Sequence, residues 1–513
     1  MVSQRRENSR ARVLGRKENA SHMFMTITMQ DFFPILPEIF LLAMIAVILV
    51  VDAFLPEYYR IFTYQISQAT LVGVAVLVLL VQPEQSVLGF HDTFVSDPLA
   101  TLLKVFIALV TFLVFVYSKP YLQERNLFKG EYFILGLTAV LGMFVLVSAH
   151  SLLTVYLGLE LLSLSLYAMV GLHRESITAS EAAMKYFVLG ALASGMLLYG
   201  MSLLYGVTGT LDLAGISDYL AGGAGEGSVR LSFTEARPVL IVGLIFVLVG
   251  IAFKLGVAPF HMWVPDVYQG APTAATLFIG TAPKIAAFAM LMRLLVDGLM
   301  GLKGDWMEML TILAILSMGI GNIIAISQTN LKRMLAYSTI AHAGFLLLGV
   351  IAGTKAGFAA STFYVIVYTL MAAGGFGMII LLSRTGFESD RLDDFKGLNE
   401  RSPWYAFLML ILMLSMAGVP PFLGFWAKWS VLRELVSADM VWLAVVAVCF
   451  AVIGLFYYLR VVRLMYFDTP HDRAPIQPEV GMQVMIAANA LAILALGLYP
   501  GALMTVCTAA ISP

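Results

Sequence analysis

The chain has 513 residues, of which 60% are apolar and 12% are charged. The charged share is about half that of a soluble protein, so too few Lys, Arg, Asp and Glu residues exist to cover a water-exposed surface, and a water-soluble globule is excluded. The formal net charge of −1 gives no global field that would favour nucleic acid. Cys449 and Cys507 lie far apart in apolar segments, which fits neither a metal site nor a redox pair.

Long apolar segments recur along nearly the whole chain. Each is long enough to cross the roughly 30 Å hydrocarbon core of a bilayer as a helix. We count fourteen, numbered spans 1 to 14, at residues 32–55, 61–82, 98–118, 131–149, 150–171, 181–206, 238–269, 272–296, 305–327, 333–352, 357–384, 403–435, 440–466 and 480–508. The alternation of a membrane β-strand is missing from these segments. The pattern predicts an all-α integral membrane protein.

Loop charges predict the orientation. Loops after odd-numbered spans carry fourteen Lys or Arg residues, whereas loops after even-numbered spans carry six. This excess places the odd loops in the cytoplasm and both termini on the periplasmic side. The basic tail, residues 1–28, contradicts that orientation and lacks the apolar core of a signal peptide. We interpret the tail as the result of a start codon assigned too early, with Met23, Met25 or Met29 as the first residue.

An internal repeat divides the chain. The sequence Gly256-Val-Ala-Pro-Phe260 in span 7 returns as Gly418-Val-Pro-Pro-Phe422 in span 12. An offset of five spans reverses the direction of the second copy, which predicts two inverted five-helix units. Each copy has a proline inside its apolar segment and should break its helix near mid-membrane. The predicted parts are the tail 1–28, spans 1–3 at 29–130, the first unit at 131–296, the second unit at 305–466 and span 14 at 480–508.

Ionisable residues lie inside the spans, where a charge costs a few kcal/mol or more unless it faces partners or water. Four lie deep: Glu160 in span 5, Lys254 in span 7, Lys284 in span 8 and Lys428 in span 12. Four more candidates are Lys104 in span 3, Lys185 near the start of span 6, His261 after the span 7 break and His342 in span 10.

Structural explanations compete with functional ones for these residues. Lys104 and Lys185 lie near span ends, where a lysine can reach the interface. His261 and His342 can be core histidines bonded to hydroxyls, and one ion pair accounts for two of the four deep residues at most. A buried lysine, however, can release a proton near neutral pH. A carboxylate about 7 Å away, at an effective dielectric constant of about 20, changes its charging energy by about 2.4 kcal/mol. That matches roughly 2.3 kcal/mol per charge per 100 mV, so the residues favour proton translocation.

Two long motifs carry a family resemblance. Residues 253–272 read FKLGVAPFHMWVPDVYQGAP, and residues 327–344 read SQTNLKRMLAYSTIAHAG. Both resemble the antiporter-like membrane subunits of respiratory complex I, and the wording PDVYQGAP is closest to the N-type. The likeness runs over nearly the whole chain from about residue 29.

The resemblance implies a fourteen-helix proton pump in the membrane arm of a complex that oxidises NADH and reduces quinone. It assigns Glu160 and Lys254 to an ion pair, Lys284 to a central relay and Lys428 to exchange with the far side. Lys185, His261 and His342 match less certain positions on the same proton path.

The resemblance also implies where the chain resides and what accompanies it. The partners are the lipid bilayer and other membrane-arm subunits, including further antiporter-like ones, in a bacterial inner membrane. NADH, FMN, iron–sulfur clusters and quinone are expected in those partner subunits and none in this chain. Gly223–Gly227 is Gly-rich but has no strand before it, which favours a linker over a dinucleotide site.

Two alternatives stay open. The first is a subunit of a multisubunit cation/proton antiporter, which would have the same fold and lysines. The second is a scaffold that moves no protons.

Overall fold

The computed structural model describes residues 32–83, 85–222, 233–470, 473, 475–476 and 478–511. The basic tail and the Gly-rich segment 223–227 lie outside these residues. Helices in the described part are α1 Leu36–Phe54, α2 Ile61–Leu80, α3 Pro98–Glu124, α4 Gly130–Val147, α5 Leu152–Val170, α6 Ile177–Thr208, α7 Leu213–Leu220, α8 Phe233–Leu255, α9 Trp263–Gly270, α10 Thr273–Ile279, α11 Ala282–Leu291, α12 Lys303–Ser327, α13 Leu331–Ile351, α14 Lys355–Leu382, α15 Leu398–Arg401, α16 Pro403–Ala417, α17 Leu423–Ser437, α18 Val441–Phe467, α19 Val480–Leu498 and α20 Gly501–Ile511. A π-helical turn spans Met292–Gly298, and short 3₁₀ turns lie at Phe33–Ile35, Glu57–Tyr59, Met300–Leu302 and Leu392–Phe395.

The prediction of a helical, multi-span membrane protein is confirmed. Within the described residues, thirteen helical segments are long and apolar enough to cross a membrane. They correspond to every predicted span except span 12, which the structure divides into α16 and α17. A small hairpin of β1 Val87–Gly89 and β2 Phe94–Ser96, which the sequence did not predict, connects α2 to α3.

Two spans predicted as continuous helices are interrupted, so their predicted continuity was wrong. Span 14 stops at Leu498, and Tyr499 leaves the helical region with φ −132° and ψ 67°. The following Pro500 disfavours helical backbone at Tyr499 and has no N–H to donate. Span 8 is interrupted between α10 and α11, because the ring and missing N–H of Pro283 are incompatible with a bond to the carbonyl four residues before it.

Small residues let two pairs of helices approach closely. A Cβ added at Gly142 of α4 would lie 2.6 Å from the backbone nitrogen of Leu162 in α5. A Cβ added at Gly321 of α12 would likewise lie 2.6 Å from the backbone nitrogen of Ala341 in α13. Such close backbone contact is usual where helices pack in a membrane. The two pairs occupy matching places in the predicted units, although the inverted repeat and its boundaries stay predictions.

The centre of the molecule is formed by three long helical segments. The most apolar stretches of Thr273–Gly298, Leu331–Ile351 and Lys355–Leu382 are wholly buried, whereas those of α1, α6, α18 and α19 are one-third buried or less. The outer helices expose many Leu, Val and Phe side chains, as a surface facing lipid or neighbouring subunits requires. Polar side chains on the central segments are therefore enclosed by protein.

Candidate functional site

Two membrane helices are interrupted in the same way. α8 ends at Leu255 and α16 ends at Ala417, and each is followed by a glycine with positive φ, 79° at Gly256 and 84° at Gly418. Glycine adopts this left-handed conformation readily and is a common helix stop. The broken helices predicted in spans 7 and 12 are confirmed.

A buried lysine contacts the end of each interrupted helix. Lys284 Nζ donates a hydrogen bond of 3.0 Å to the Leu255 carbonyl. Lys428 Nζ donates to the carbonyls of Met416 and Ala417 at 3.1 and 2.9 Å. The last carbonyls of a helix lack intrahelical donors and form the negative end of its dipole. Each lysine is thus held by partial charges rather than by a carboxylate.

Glu160 and Lys254 lie near each other but do not touch. Lys254 Nζ donates to the Ser163 hydroxyl at 2.6 Å, and the Glu160 carboxylate accepts a hydrogen bond from the Ser194 hydroxyl. The direct ion pair that the resemblance implies is therefore not formed. Ser163, Ser194 and Lys254 line one cavity of about 10 Å³, roughly the room for a single water. The two ionisable residues are separated by serines and this small cavity.

A second small cavity lies at the centre of the molecule. Lys284, Thr339, His342 and Tyr364 line this space of about 10 Å³. His342 is buried and uses both ring nitrogens: Nδ1 lies 2.7 Å from the Tyr364 hydroxyl, and Nε2 lies 3.1 Å from the Tyr458 hydroxyl. The hydroxyl partners expected for a core histidine are present, and the cavity also places the imidazole beside Lys284.

Lys185 and His261 stand apart from this central group. The side chain of Lys185 is 43% exposed and forms ion pairs of 2.9 Å with both Glu181 and Asp266. His261 lies in the break between α8 and α9 and is partly exposed. These two residues border the surface, whereas the deep lysines are enclosed.

Lys104 is held in a buried ion pair. Its Nζ lies 2.5 Å from Glu38 Oε1, and the two side chains are 4% and 6% exposed. Lys104 therefore does not extend to the interface. Its partner is a carboxylate, which distinguishes it from Lys284 and Lys428.

A charged cleft of about 510 Å³ opens at one end of the molecule. It is bordered by the starts of α6 and α13, by α9 and by the loop after α14, and its lining includes Lys185, Lys332 and Glu388. Glu388 accepts hydrogen bonds from Tyr121 and Arg125. Burial raises the pKa of Glu388, but the charges of Lys332 and Arg125 lower it more, and the pKa lies below its ordinary value. The cleft therefore keeps an ionised carboxylate at neutral pH.

Several polar residues of the site were not predicted from the sequence. Ser163 follows Glu160 by three positions, so the helical repeat places both on one face of α5 and could have indicated it. Ser194, Tyr364 and Tyr458 had no such local signal. Tyr458 in particular is 116 residues from the histidine that it contacts.

The described residues offer no cluster of three or more His, Cys, Asp or Glu side chains that could hold a metal ion. The charged groups near the centre are lysines, whose ammonium groups donate hydrogen bonds and do not coordinate cations.

Comparison with known proteins shows which class of membrane protein the chain belongs to. Residues 149–454 match the family model described as NADH:quinone oxidoreductase/Mrp antiporter, TM. A chain of respiratory complex I from Thermus thermophilus has a TM-score of 0.76 and 30% identity, covering 91% of this chain and 98% of that chain. A chain of the Mrp complex from Dietzia sp. DQ12-45-1b has a TM-score of 0.80 at 21% identity, covering 95% and 97%, which shows a shared fold alone.

The sequence narrows this class. A protein of Thioalkalivibrio sulfidiphilus named NADH-quinone oxidoreductase subunit N is 58% identical over 488 residues, 95% of this chain and 100% of that protein. The chain belongs to the family of NADH-quinone oxidoreductase subunit N. The resemblance drawn from residues 253–272 and 327–344 is confirmed.

Proposed function

We propose that this chain moves protons across the membrane as a subunit of NADH-quinone oxidoreductase, in a complex whose other subunits carry out the electron transfer. The observation that carries this proposal is that three deep lysines are buried and hydrogen-bonded to neutral acceptors. Lys254, Lys284 and Lys428 are 7%, 4% and 8% exposed. Their hydrogen-bond acceptors are a serine hydroxyl and helix-end carbonyls.

The partners of a buried lysine decide whether it can change charge. An ammonium held by a carboxylate loses a strong attraction on deprotonation, as Lys104 beside Glu38 would. A charged lysine held by neutral acceptors is destabilised by burial, and on deprotonation it loses a weaker attraction than a lysine held by a carboxylate. The two states of Lys254, Lys284 and Lys428 are therefore closer in free energy. Such residues can take up and release protons during a catalytic cycle.

The proton would move along a row of ionisable side chains, which consists of Glu160, Lys254, Lys284, His342 and Lys428. Glu160 with Lys254 forms the first station, Lys284 with His342 the central relay, and Lys428 the last station. Two unit charges about 7 Å apart interact by about 2.4 kcal/mol at an effective dielectric constant of about 20, which is the most that moving them apart can change. This is close to the roughly 2.3 kcal/mol that a potential of 100 mV exerts on one charge.

The cleft provides access for protons from the cytoplasm. Part of its lining comes from the loops after spans 5, 9 and 11, which belong to the set rich in Lys and Arg. Under this orientation both termini face the periplasm, in the inner membrane of a bacterium. Lys185 and Asp266 border the cleft near the break where His261 lies, which gives Lys185 and His261 a role in proton uptake.

The redox chemistry is assigned to other subunits. NADH, FMN, iron–sulfur clusters and quinone would bind there, and other membrane-arm subunits, including further antiporter-like ones, would cover part of the exposed apolar surface. Chemical energy released in those subunits would reach this chain through contacts that change the charge or position of Glu160.

The test uses complex assembled around variant chains. Lys254→Ala and Glu160→Ala should each reduce both quinone reduction and proton pumping in membrane vesicles, because a station of the row is missing. Lys396→Ala is the control, since Lys396 lies in the loop after α14 and pairs with Asp393. Flavin content per complex verifies assembly. Wild-type pumping by a fully assembled Lys254→Ala complex would contradict the proposal and favour a scaffold role.

A cation/proton antiporter is the second candidate, because the Mrp chain shares the fold. The 58% identity to a subunit N protein favours the first candidate. Purification separates the two. Recovery with flavin-containing, NADH-oxidising partners supports the proposal, and Na⁺-dependent exchange by a complex without them supports the antiporter.

A further inference from the structure

A chain of four polar groups passes through His342. The Tyr364 hydroxyl lies 2.7 Å from Nδ1, and the Tyr458 hydroxyl lies 3.1 Å from Nε2. Tyr458 also shares a short hydrogen bond with the Ser338 hydroxyl. All four residues are at most 3% exposed. Three helices contribute, since Ser338 and His342 lie on α13, Tyr364 on α14 and Tyr458 on α18.

Each contact in this chain can run in either direction. A hydroxyl donates one hydrogen and accepts others, and a neutral imidazole donates from one nitrogen and accepts at the other. In one pattern Tyr364 donates to Nδ1, Nε2–H donates to Tyr458, and Tyr458 donates to Ser338. In the other pattern Ser338 donates to Tyr458, Tyr458 donates to Nε2, and Nδ1–H donates to Tyr364. Both patterns satisfy every contact, so neither leaves a buried polar group unpaired.

The two ends of the chain have different surroundings. Tyr364 lines the central cavity together with Lys284 and His342. Tyr458 and Ser338 lie on the opposite side of the imidazole, where Nε2 makes its contact. Each ring nitrogen already contacts a tyrosine hydroxyl, and of these two tyrosines Tyr364 is the one that lines the cavity with Lys284.

We propose that Tyr364 and Tyr458 are the two proton-carrying contacts of His342, one on the Lys284 side and one on the side of Ser338. The proposal rests on the proposed function, because it requires protons to pass His342. It adds two residues that act through the imidazole, one at each ring nitrogen.

One passage of the chain balances as follows. The Lys284 ammonium gives a proton to a water in the cavity that both residues line and becomes an amine, that water gives a proton to the Tyr364 oxygen, and Tyr364 gives its own hydrogen to Nδ1. The Nε2–H bond breaks as its proton moves to the Tyr458 oxygen, Tyr458 gives its hydrogen to Ser338, and Ser338 gives one to a neutral base such as water. The chain keeps its composition and changes from the first pattern to the second. Rotation of the hydroxyls and a change of imidazole tautomer restore the first pattern.

The test compares tyrosine-to-phenylalanine variants in assembled complex. Tyr364→Phe and Tyr458→Phe should each slow proton pumping about tenfold, because the loss of one hydroxyl interrupts transfer at one ring nitrogen. The matched control is Tyr457→Phe. Tyr457 is equally buried on the same helix and its ring lies 4.2 Å from that of Tyr458, but its hydroxyl donates to Asn322 and not to His342. Its variant should pump at nearly the wild-type rate.

A solvent isotope effect separates a relay from a packing defect. Exchange of H₂O for D₂O should slow Tyr364→Phe and Tyr458→Phe more than wild type, since proton transfer limits them, and should affect Tyr457→Phe like wild type. If Tyr458→Phe fails to assemble, Ser338→Ala removes the terminal hydroxyl in its place. Equal rates and isotope effects in all three phenylalanine variants would overturn the inference.

A fourth variant separates this inference from the function on which it rests. If Lys284→Ala stops pumping while Tyr364→Phe and Tyr458→Phe behave like Tyr457→Phe, the inference fails and the proposed function stands. If an assembled Lys284→Ala complex pumps normally, the proposed function itself fails.

Discussion

Removing the hydroxyl of Ser163 should change the pH dependence of proton pumping. This hydroxyl accepts a hydrogen bond of 2.6 Å from Lys254 Nζ, and the lysine is 7% exposed. A hydrogen bond to a charged group is worth about 1.5–3 kcal/mol. Ser163→Ala therefore destabilises the protonated form of Lys254 by that amount, while the neutral amine loses much less. At about 1.36 kcal/mol per tenfold change, the ratio of protonated to neutral Lys254 at a given pH falls roughly 10- to 100-fold.

The sign of the effect follows from which form is lost. A lysine that is harder to protonate requires a lower pH to receive its proton, so the alkaline limb of the pumping profile should move about one to two pH units toward acid. Proton uptake by vesicles, measured from pH 6 to 9 during NADH oxidation, gives this profile.

Ser165→Ala is the control, because Ser165 lies on the same helix but donates to the Leu161 carbonyl at 2.8 Å. A Ser163→Ala profile that superposes on the Ser165→Ala profile would refute the reasoning.

Three further outcomes are expected. Lys428→Ala should lower proton pumping in vesicles at least tenfold in a fully assembled complex, and pumping at the wild-type rate would remove this lysine from the row. Gly142→Val should lower the temperature at which the complex loses activity, because α4 and α5 have no room for the side chain, whereas Gly195→Ala, with nothing within 4 Å of its added Cβ, should be tolerated. Asp97→Asn should destabilise the chain at pH 7 by about 1.5–3 kcal/mol, since Asp97 makes two hydrogen bonds to the buried Arg293, which keeps Asp297 as its other carboxylate partner. Burial raises the pKa of Asp97, but Arg293 lowers it more, so the stabilisation is present above pH about 4 and is lost as the pH falls through the depressed value. Thermal melts of wild type and variant should thus converge in acid, and a constant difference down to pH 3 would contradict this assignment.

Most of the fold could be predicted because its signals are local. A membrane helix needs about 20 consecutive apolar residues, and each span is visible without knowledge of the others. The breaks in spans 7 and 12 were also predictable from prolines inside apolar segments. Pro500 and Pro283 follow the same rule but lie near the edge of an apolar segment or beside small residues, where the composition alone favours a continuous helix. The hairpin of β1 and β2 depends on pairing across a turn and had no comparable signal.

The site could be predicted only in part. Glu160, Lys254, Lys284 and Lys428 are conspicuous because a charge within an apolar segment is unusual. Their contacts were not predictable, since a lone sequence does not show which helices are neighbours. The serines that separate Glu160 from Lys254, and the phenol that Tyr458 brings to His342 from α18, become apparent only when the helices are packed.

The most direct test of a lysine that changes charge is the substitution Lys284→Arg. Arginine keeps the positive charge and the capacity to donate to the Leu255 carbonyl, but it does not release a proton in proteins. An assembled Lys284→Arg complex should therefore lose proton pumping, whereas Lys104→Arg, which preserves a paired and permanent charge beside Glu38, should retain most of it. Pumping by Lys284→Arg at the wild-type rate would contradict the account, because a residue with a fixed charge would then serve equally well.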